Sequence, residues 1–138
     1  MDNNLPNFRQ TEVIPPLTAE IPIKPKDISR YIKQAYRHFA QGDIEKAIAD
    51  FHTAICIHPN NAELYTARAN FRKKKLGDSQ GALDDYTQAI DINPENAFFY
   101  FWRSQIYQEL GNEQKAIEDY NIAMSLAPEG TMYYLTNY

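Results

Sequence analysis

Ala47, Phe51 and Ala54 fall four and three residues apart, with Ile48 and Ile55 beside them. That spacing puts the apolar positions on one face and predicts a helix. The same face returns twice, as Ala82, Tyr86 and Ala89 and as Ala116, Tyr120 and Ala123, at intervals of 35 and then 34 residues. Gly42, Gly77 and Gly111 keep those intervals, and so do Pro59, Pro94 and Pro128. Upstream of each glycine a second pattern repeats: Tyr31 with Ala35, Tyr65 with Ala69, Tyr100 with Ser104. Each pair sets a ring four residues before a small side chain, so a neighbouring helix can approach closely beside a filled space. The chain therefore predicts two helices per unit. Self-similarity at this period is the signature of stacked helical hairpins.

The punctuation agrees. Asp43, Asp78 and Asn112 follow the glycines and are expected to cap the second helices, while Asn61 and Asn96 are expected to cap first helices. The glycines end the first helices where a left-handed backbone is often required. Five of the eight prolines lie within the first 25 residues, which divides the chain into an extended tail, 1–26, and a regular body, 27–138.

As a set, these markers resemble the tetratricopeptide repeat, a helix–turn–helix unit that stacks into a right-handed superhelix. The resemblance covers repeats 28–61, 62–96 and 97–130, and implies an all-α superhelical array. Residues 131–138, "TMYYLTNY", are expected to form a short C-terminal capping helix, since terminal repeats need cover. The start of a fourth unit, or a sticky end pairing two copies, are the alternatives. The chain also departs from the family. One extra residue lies between Ala69 and Gly77, so the second repeat has either a longer first helix or a bulged turn. Gln34, Arg68 and Arg103 stand where the family usually has Leu, and His38 and Arg72 where it usually has Tyr; Tyr107 conforms. Because Asp50, Asp85 and Asp119 each precede the large aromatic of a second helix, Arg68 and Arg103 are expected to reach such aspartates as bidentate pairs. The alternative is that these acids cover a solvated face.

Charge and composition narrow the function. A net charge of −4 and a pI near 5.3 argue against nucleic acid, which asks for a basic excess. The run "RKKK" at 72–75 is expected to complement a helix C-terminus. No stretch approaches the roughly 18 apolar residues of a membrane span, and "MDNNLPNFRQ" lacks the apolar core of a secretory signal. With a single cysteine, Cys56, a cytoplasmic location is expected. Catalysis is not expected. His38, His52 and His58 lack metal-ligand spacing, Cys56 is expected to be packed beside Ile55 and Ile57, and there is no phosphate loop or nucleophile elbow. No cofactor and no metal are expected.

The resemblance implies a non-enzymatic protein-interaction module whose first helices line a concave groove for a partner peptide or helix. Its groove residues would be Ile32, Tyr36 and Phe39 in the first repeat. The second would contribute Glu63, Thr66, Asn70 and Lys73, and the third Phe98, Phe101, Trp102 and Gln105. Phe98 to Trp102 are aromatic in succession, and one helix face cannot bury them all. The alternative to exposure is cover by the tail or the C-terminal helix. At the positions where family members grip acidic chaperone tails, this chain carries Ile32, Tyr36, Ala67, Phe98 and Trp102, so such a tail is not the expected ligand. The tail's Leu5, Phe8, Val13, Ile14, Leu17, Ile21 and Ile23 are expected either to lie along the repeats or to carry a motif for another protein. A different class of function is a structural one: self-association through the C-terminal end into a homo-dimer or larger homo-oligomer.

Overall fold

A computed structural model describes residues 25–127. They form α1 (Pro25–Ala40), α2 (Ile44–Ile57), α3 (Ala62–Leu76), α4 (Ser79–Ile92), α5 (Ala97–Glu109) and α6 (Glu113–Leu126), with no strand among the described residues. The architecture is all-α, three helical hairpins in succession. The tail 1–24 and the expected cap 131–138 lie outside the described residues. Two compact units divide the chain, one ending at Ile57 and the other starting at His58.

Within the first unit, α1 packs on α2. Ala35, Ala47, Phe51 and Ala54 are buried, so the small residues fall where the two backbones meet and the ring fills the space between. Within the second unit α3 packs on α4, α4 on α5, and α5 on α6. One core cluster joins Ala69, Ala82, Tyr86 and Ile106, with Leu83 and Trp102 against it. Another joins Ala89, Ile90 and Phe99, with Ala62, Tyr65 and Tyr100 beside it.

The helix ends follow the sequence signals. Asp43, Asp78 and Asn112 accept from the backbone N–H three residues on, at Lys46, Gly81 and Lys115, which satisfies one orphan donor of each second helix. Asn61 and Asn96 cap first helices by accepting from the N–H two residues on, at Glu63 and Phe98. Gly42, Gly77 and Gly111 have φ of 85°, 67° and 84°, a region in which a side chain would be strained. Lys73, Lys74 and Lys75 occupy the last turn of α3, where cations complement the helix dipole.

The extra residue of the second repeat is absorbed in its turn. Asp43 and Asn112 donate their backbone N–H five residues back, to His38 and Tyr107, whereas Asp78 reaches six back, to Arg72. The helix runs on to Leu76 and the closing ring widens by one residue, so both expected effects occur together. Two tyrosines of the second unit pin the loops that precede them: Tyr65 donates to the Pro59 carbonyl at 3.1 Å and Tyr100 to the Pro94 carbonyl at 2.9 Å.

Candidate functional site

The aspartate before each large aromatic is an anchor for its own hairpin, buried at Asp85 and Asp119 and half-buried at Asp50. Asp85, 2% exposed, receives Nε and Nη2 of Arg68 at 2.9 and 2.7 Å, the expected bidentate fork, and Nη1 of Arg72 at 3.0 Å. Asp119 receives Nε and Nη2 of Arg103 at 2.6 and 2.9 Å. That hydrogen bond, opposed by burial, raises the Arg103 pKa. The third donor of Arg103, Nη1, reaches Thr87 Oγ1 on α4 at 3.1 Å, and the guanidinium lies near the Tyr100 and Tyr107 rings. In the first hairpin neutral and aromatic donors take over: Gln34 Nε2 donates to Asp50 at 3.2 Å and His38 Nδ1 lies 2.7 Å from it. A carboxylate only accepts, so Nδ1 carries the proton. Three acids that one alternative placed on a solvated face are structural supports.

Around these supports the expected groove residues separate into groups. Ile32, Tyr36 and Phe39 all lie on α1 of the first unit, with Tyr36 exposed and the other two half-buried. Burial raises the Tyr36 pKa. In the second unit Phe98 is 37% exposed, and its ring lies 5.6 Å from that of Trp102, one turn on. Trp102 is half-buried, its other neighbour being Tyr86 at 6.0 Å. The Tyr86 hydroxyl donates to Asn70 Oδ1 at 2.8 Å. Phe98, Trp102, Tyr86 and Asn70 thus form a continuous run of contacts from α5 to α3. Burial, with the neighbouring Asp85 charge, drives the Tyr86 pKa well above its ordinary value, so the hydroxyl stays a donor. Asn70 accepts that bond on its oxygen, which orients the amide, and its nitrogen keeps its donors. Lys73 Nζ pairs with Glu109 at 2.9 Å, a link from α3 to α5.

Two expected residues fall elsewhere. Thr66 is buried and its hydroxyl donates to the Glu63 carbonyl of its own helix, so it offers a ligand no surface. Phe101 points to α6, its ring 6.3 Å from Tyr120, away from the Phe98–Trp102 pair. Gln105 is exposed and lines a cavity between α5 and α6 together with Ser104, Ile117 and Tyr120. Cys56, expected to be packed, is exposed. Tyr86 belongs to this run although the groove expected from the sequence does not include it. Its signal was a buried hydroxyl at a position where the first repeat has Phe51, since a buried tyrosine needs a partner.

Among the described residues no group of three His, Cys, Asp or Glu is placed to hold a metal ion. No described helix is long and apolar enough to cross a membrane.

The second tetratricopeptide domain of Spaghetti (RPAP3), solved bound to the HSP90 peptide SRMEEVD, is similar over 72% of this chain and 92% of its own, with 24% identity and a TM-score of 0.59. The type III secretion chaperone SycD of Yersinia enterocolitica, solved with a peptide of the translocator YopD, is similar over 85% of this chain and 89% of its own, with 15% identity and a TM-score of 0.67. PcrH, in complex with the chaperone-binding region of PopB, is similar over 83% of this chain and 96% of its own, with 16% identity and a TM-score of 0.65. At these identities the likeness is one of fold. A search of curated proteins gave no significant match. Family models described as tetratricopeptide repeats match residues 35–75, 62–96 and 85–118. The middle match coincides with the second repeat, 62–96, and the outer two straddle hairpins. With the repeats matched over 35–118 and the hairpins in place, the chain belongs to the tetratricopeptide-repeat family.

Proposed function

We propose that this protein is a non-enzymatic interaction module that binds a partner peptide or helix through apolar and aromatic contacts on its first helices. The observation that carries the reading is the Phe98–Trp102 pair, one ring exposed and the other held from behind by Tyr86. An exposed aromatic backed by a fixed one offers contact area at little ordering cost, the property of binding hot spots. Asn70, its oxygen fixed by Tyr86, supplies an amide donor for a partner's carbonyl. The similar structures support the general class, since three of them hold peptides or a binding region of another protein. Ile32, Tyr36 and Phe39 are proposed as the first unit's contribution.

Magnitudes favour modest affinity. Burying on the order of 200 Å² of aromatic surface gives about 5 kcal/mol gross. Association takes several kcal/mol of that, so a micromolar complex, about −8 kcal/mol, needs hydrogen bonds as well. An acidic chaperone tail is a poor fit, because Ile32, Tyr36, Ala67, Phe98 and Trp102 carry no positive charge.

The test is a paired pull-down from the source cell's extract with the intact protein and Phe98→Ala. Trp102→Ala would disturb the Tyr86 cluster, so the exposed ring is the cleaner probe. A protein captured by the first and lost from the second supports the reading; equal capture overturns this surface. Peptide SRMEEVD serves as the control and is expected not to bind. A second reading, self-association through the C-terminal end, draws on exposed Ile117, Tyr120 and Ile122 of α6. Sedimentation over a hundredfold range of concentration tests it, a constant monomer mass excluding it.

A further inference from the structure

Two hydrogen-bond donors on the aromatic surface of the second unit are left open. Trp102 Nε1 and Asn70 Nδ2 form no hydrogen bond among the described residues. There the one enclosed side-chain nitrogen or oxygen without a partner is His58 Nε2, so both donors reach solvent, although each belongs to a half-buried residue. Their placement is fixed from below. The Tyr86 hydroxyl holds Asn70 Oδ1 at 2.8 Å, which turns the nitrogen away from that buried ring. The Tyr86 and Phe98 rings flank the indole at 6.0 and 5.6 Å. Where charge links the same two helices, Lys73 and Glu109 neutralise each other at 2.9 Å. The surface thus presents rings and fixed N–H groups, and asks a ligand for no counter-charge.

That pattern selects the backbone conformation of the ligand. A helix arrives with its carbonyls already bonded within itself, so fixed donors gain little from it. A strand brings N–H groups as well as carbonyls, and Asn70 Oδ1, turned to Tyr86, is poorly placed to accept from them. A polyproline II segment leaves every backbone carbonyl unbonded, and its prolines carry no N–H. Its rings pack on aromatic side chains, and its conformation is formed before binding, which lowers the ordering cost.

We infer that the partner in the interaction-module reading, on which this inference rests, is a proline-rich segment of another protein bound as a polyproline II helix. Pyrrolidine rings lie against Phe98 and the open edge of Trp102. Carbonyls of neighbouring residues accept from Trp102 Nε1 and Asn70 Nδ2.

Trp102 is the chain's one tryptophan, so its emission reports the site directly. The full chain is titrated with acetyl-octaproline amide and, in parallel, with a charge-balanced amphipathic helical peptide of Ala, Leu, Glu and Lys. Octaproline is expected to change the emission saturably, with half-saturation below about 1 mM, and the helical peptide to bind at least about tenfold more weakly. Asn70→Asp keeps an acceptor for Tyr86 and removes the donors. It is expected to weaken octaproline about five- to tenfold while helicity and Tm stay unchanged, and Phe98→Ala to weaken it at least as much. Undiminished binding by Asn70→Asp would overturn the inference. So would an emission that does not respond at several millimolar octaproline, whether the surface refuses prolines or the chain's own proline-rich tail already holds it. Should the helical peptide alone bind, and lose its affinity with Phe98→Ala, the polyproline ligand is excluded and the interaction-module reading stands. Equal capture by the intact protein and Phe98→Ala in the pull-down would instead remove that reading, and this inference with it.

Discussion

Asp50 and Asp85 occupy one position in two repeats, yet the first is held by a glutamine and a histidine and the second by two arginines. Both acids end with every partner they need. The scaffold therefore requires that this carboxylate be satisfied, without fixing by whom. What differs is the cost of a mistake. Asp50 neutralises at most one cation, while Asp85 neutralises two guanidinium groups in a more deeply buried setting.

The largest test of that contrast removes each acid. Asp85→Ala leaves Arg68 and Arg72 with uncompensated charge and is expected to cost about 3–5 kcal/mol, whereas Asp50→Ala removes two hydrogen bonds at a cost of about 1–2 kcal/mol. Urea denaturation followed by helicity measures both, and equal losses would erase the distinction between the hairpins. Next in size is a partial reversal: Arg68→Leu combined with Asp85→Leu is expected to recover part of what Asp85→Leu alone loses, because Arg68 is then no longer stranded while Arg72 is left to Asp78 at 4.0 Å. A double-mutant cycle reads it. A smaller effect sharpens the comparison from the other side. Gln34→Arg gives Asp50 the fork that Asp85 enjoys, and is expected to raise the first hairpin's stability by up to about 1 kcal/mol. The smallest concerns the cap of α2. The backbone hydrogen bond from Lys46 lowers the Asp43 pKa. Its contribution is thus present above the ordinary carboxylate range and lost as pH falls through the lowered value. Asp43→Asn keeps the acceptor and removes the titration, so its acid-side Tm is expected to fall less steeply than that of the unchanged chain.

Much of this is legible in the sequence. Glycine, proline and cap residues at one period define the hairpins because each answers a local backbone requirement, independent of what lies across the fold. The arginine–aspartate forks were legible for a related reason. A long cation and a short acid recur 17 and 16 residues apart in the second and third repeats, and helical geometry leaves few ways for them to miss each other. The candidate surface was harder. Thr66 and Phe101 sit on the helices expected of them, but a few tens of degrees of rotation about the helix axis decide whether a side chain meets its own turn, a neighbour or solvent. The spacing of aromatics in α5 does not specify that rotation; the packing of Phe99 on Ala89 and Ile90 does. Cys56 shows the same limit, since two apolar neighbours in sequence lie on either side of it around the helix.

Arg103 grips Asp119 within its own hairpin and Thr87 in the hairpin before it, so one planar group is shared between two modules. In a linear array, the energy at such a seam decides whether neighbours melt one by one or as a block. Thermal fluctuations that open α6 must let go of Asp119, and the guanidinium that loses it also loosens its hold on α4. The second and third hairpins are thereby tied into a single cooperative segment, in which a disturbance at the far end is felt beneath the Phe98–Trp102 surface.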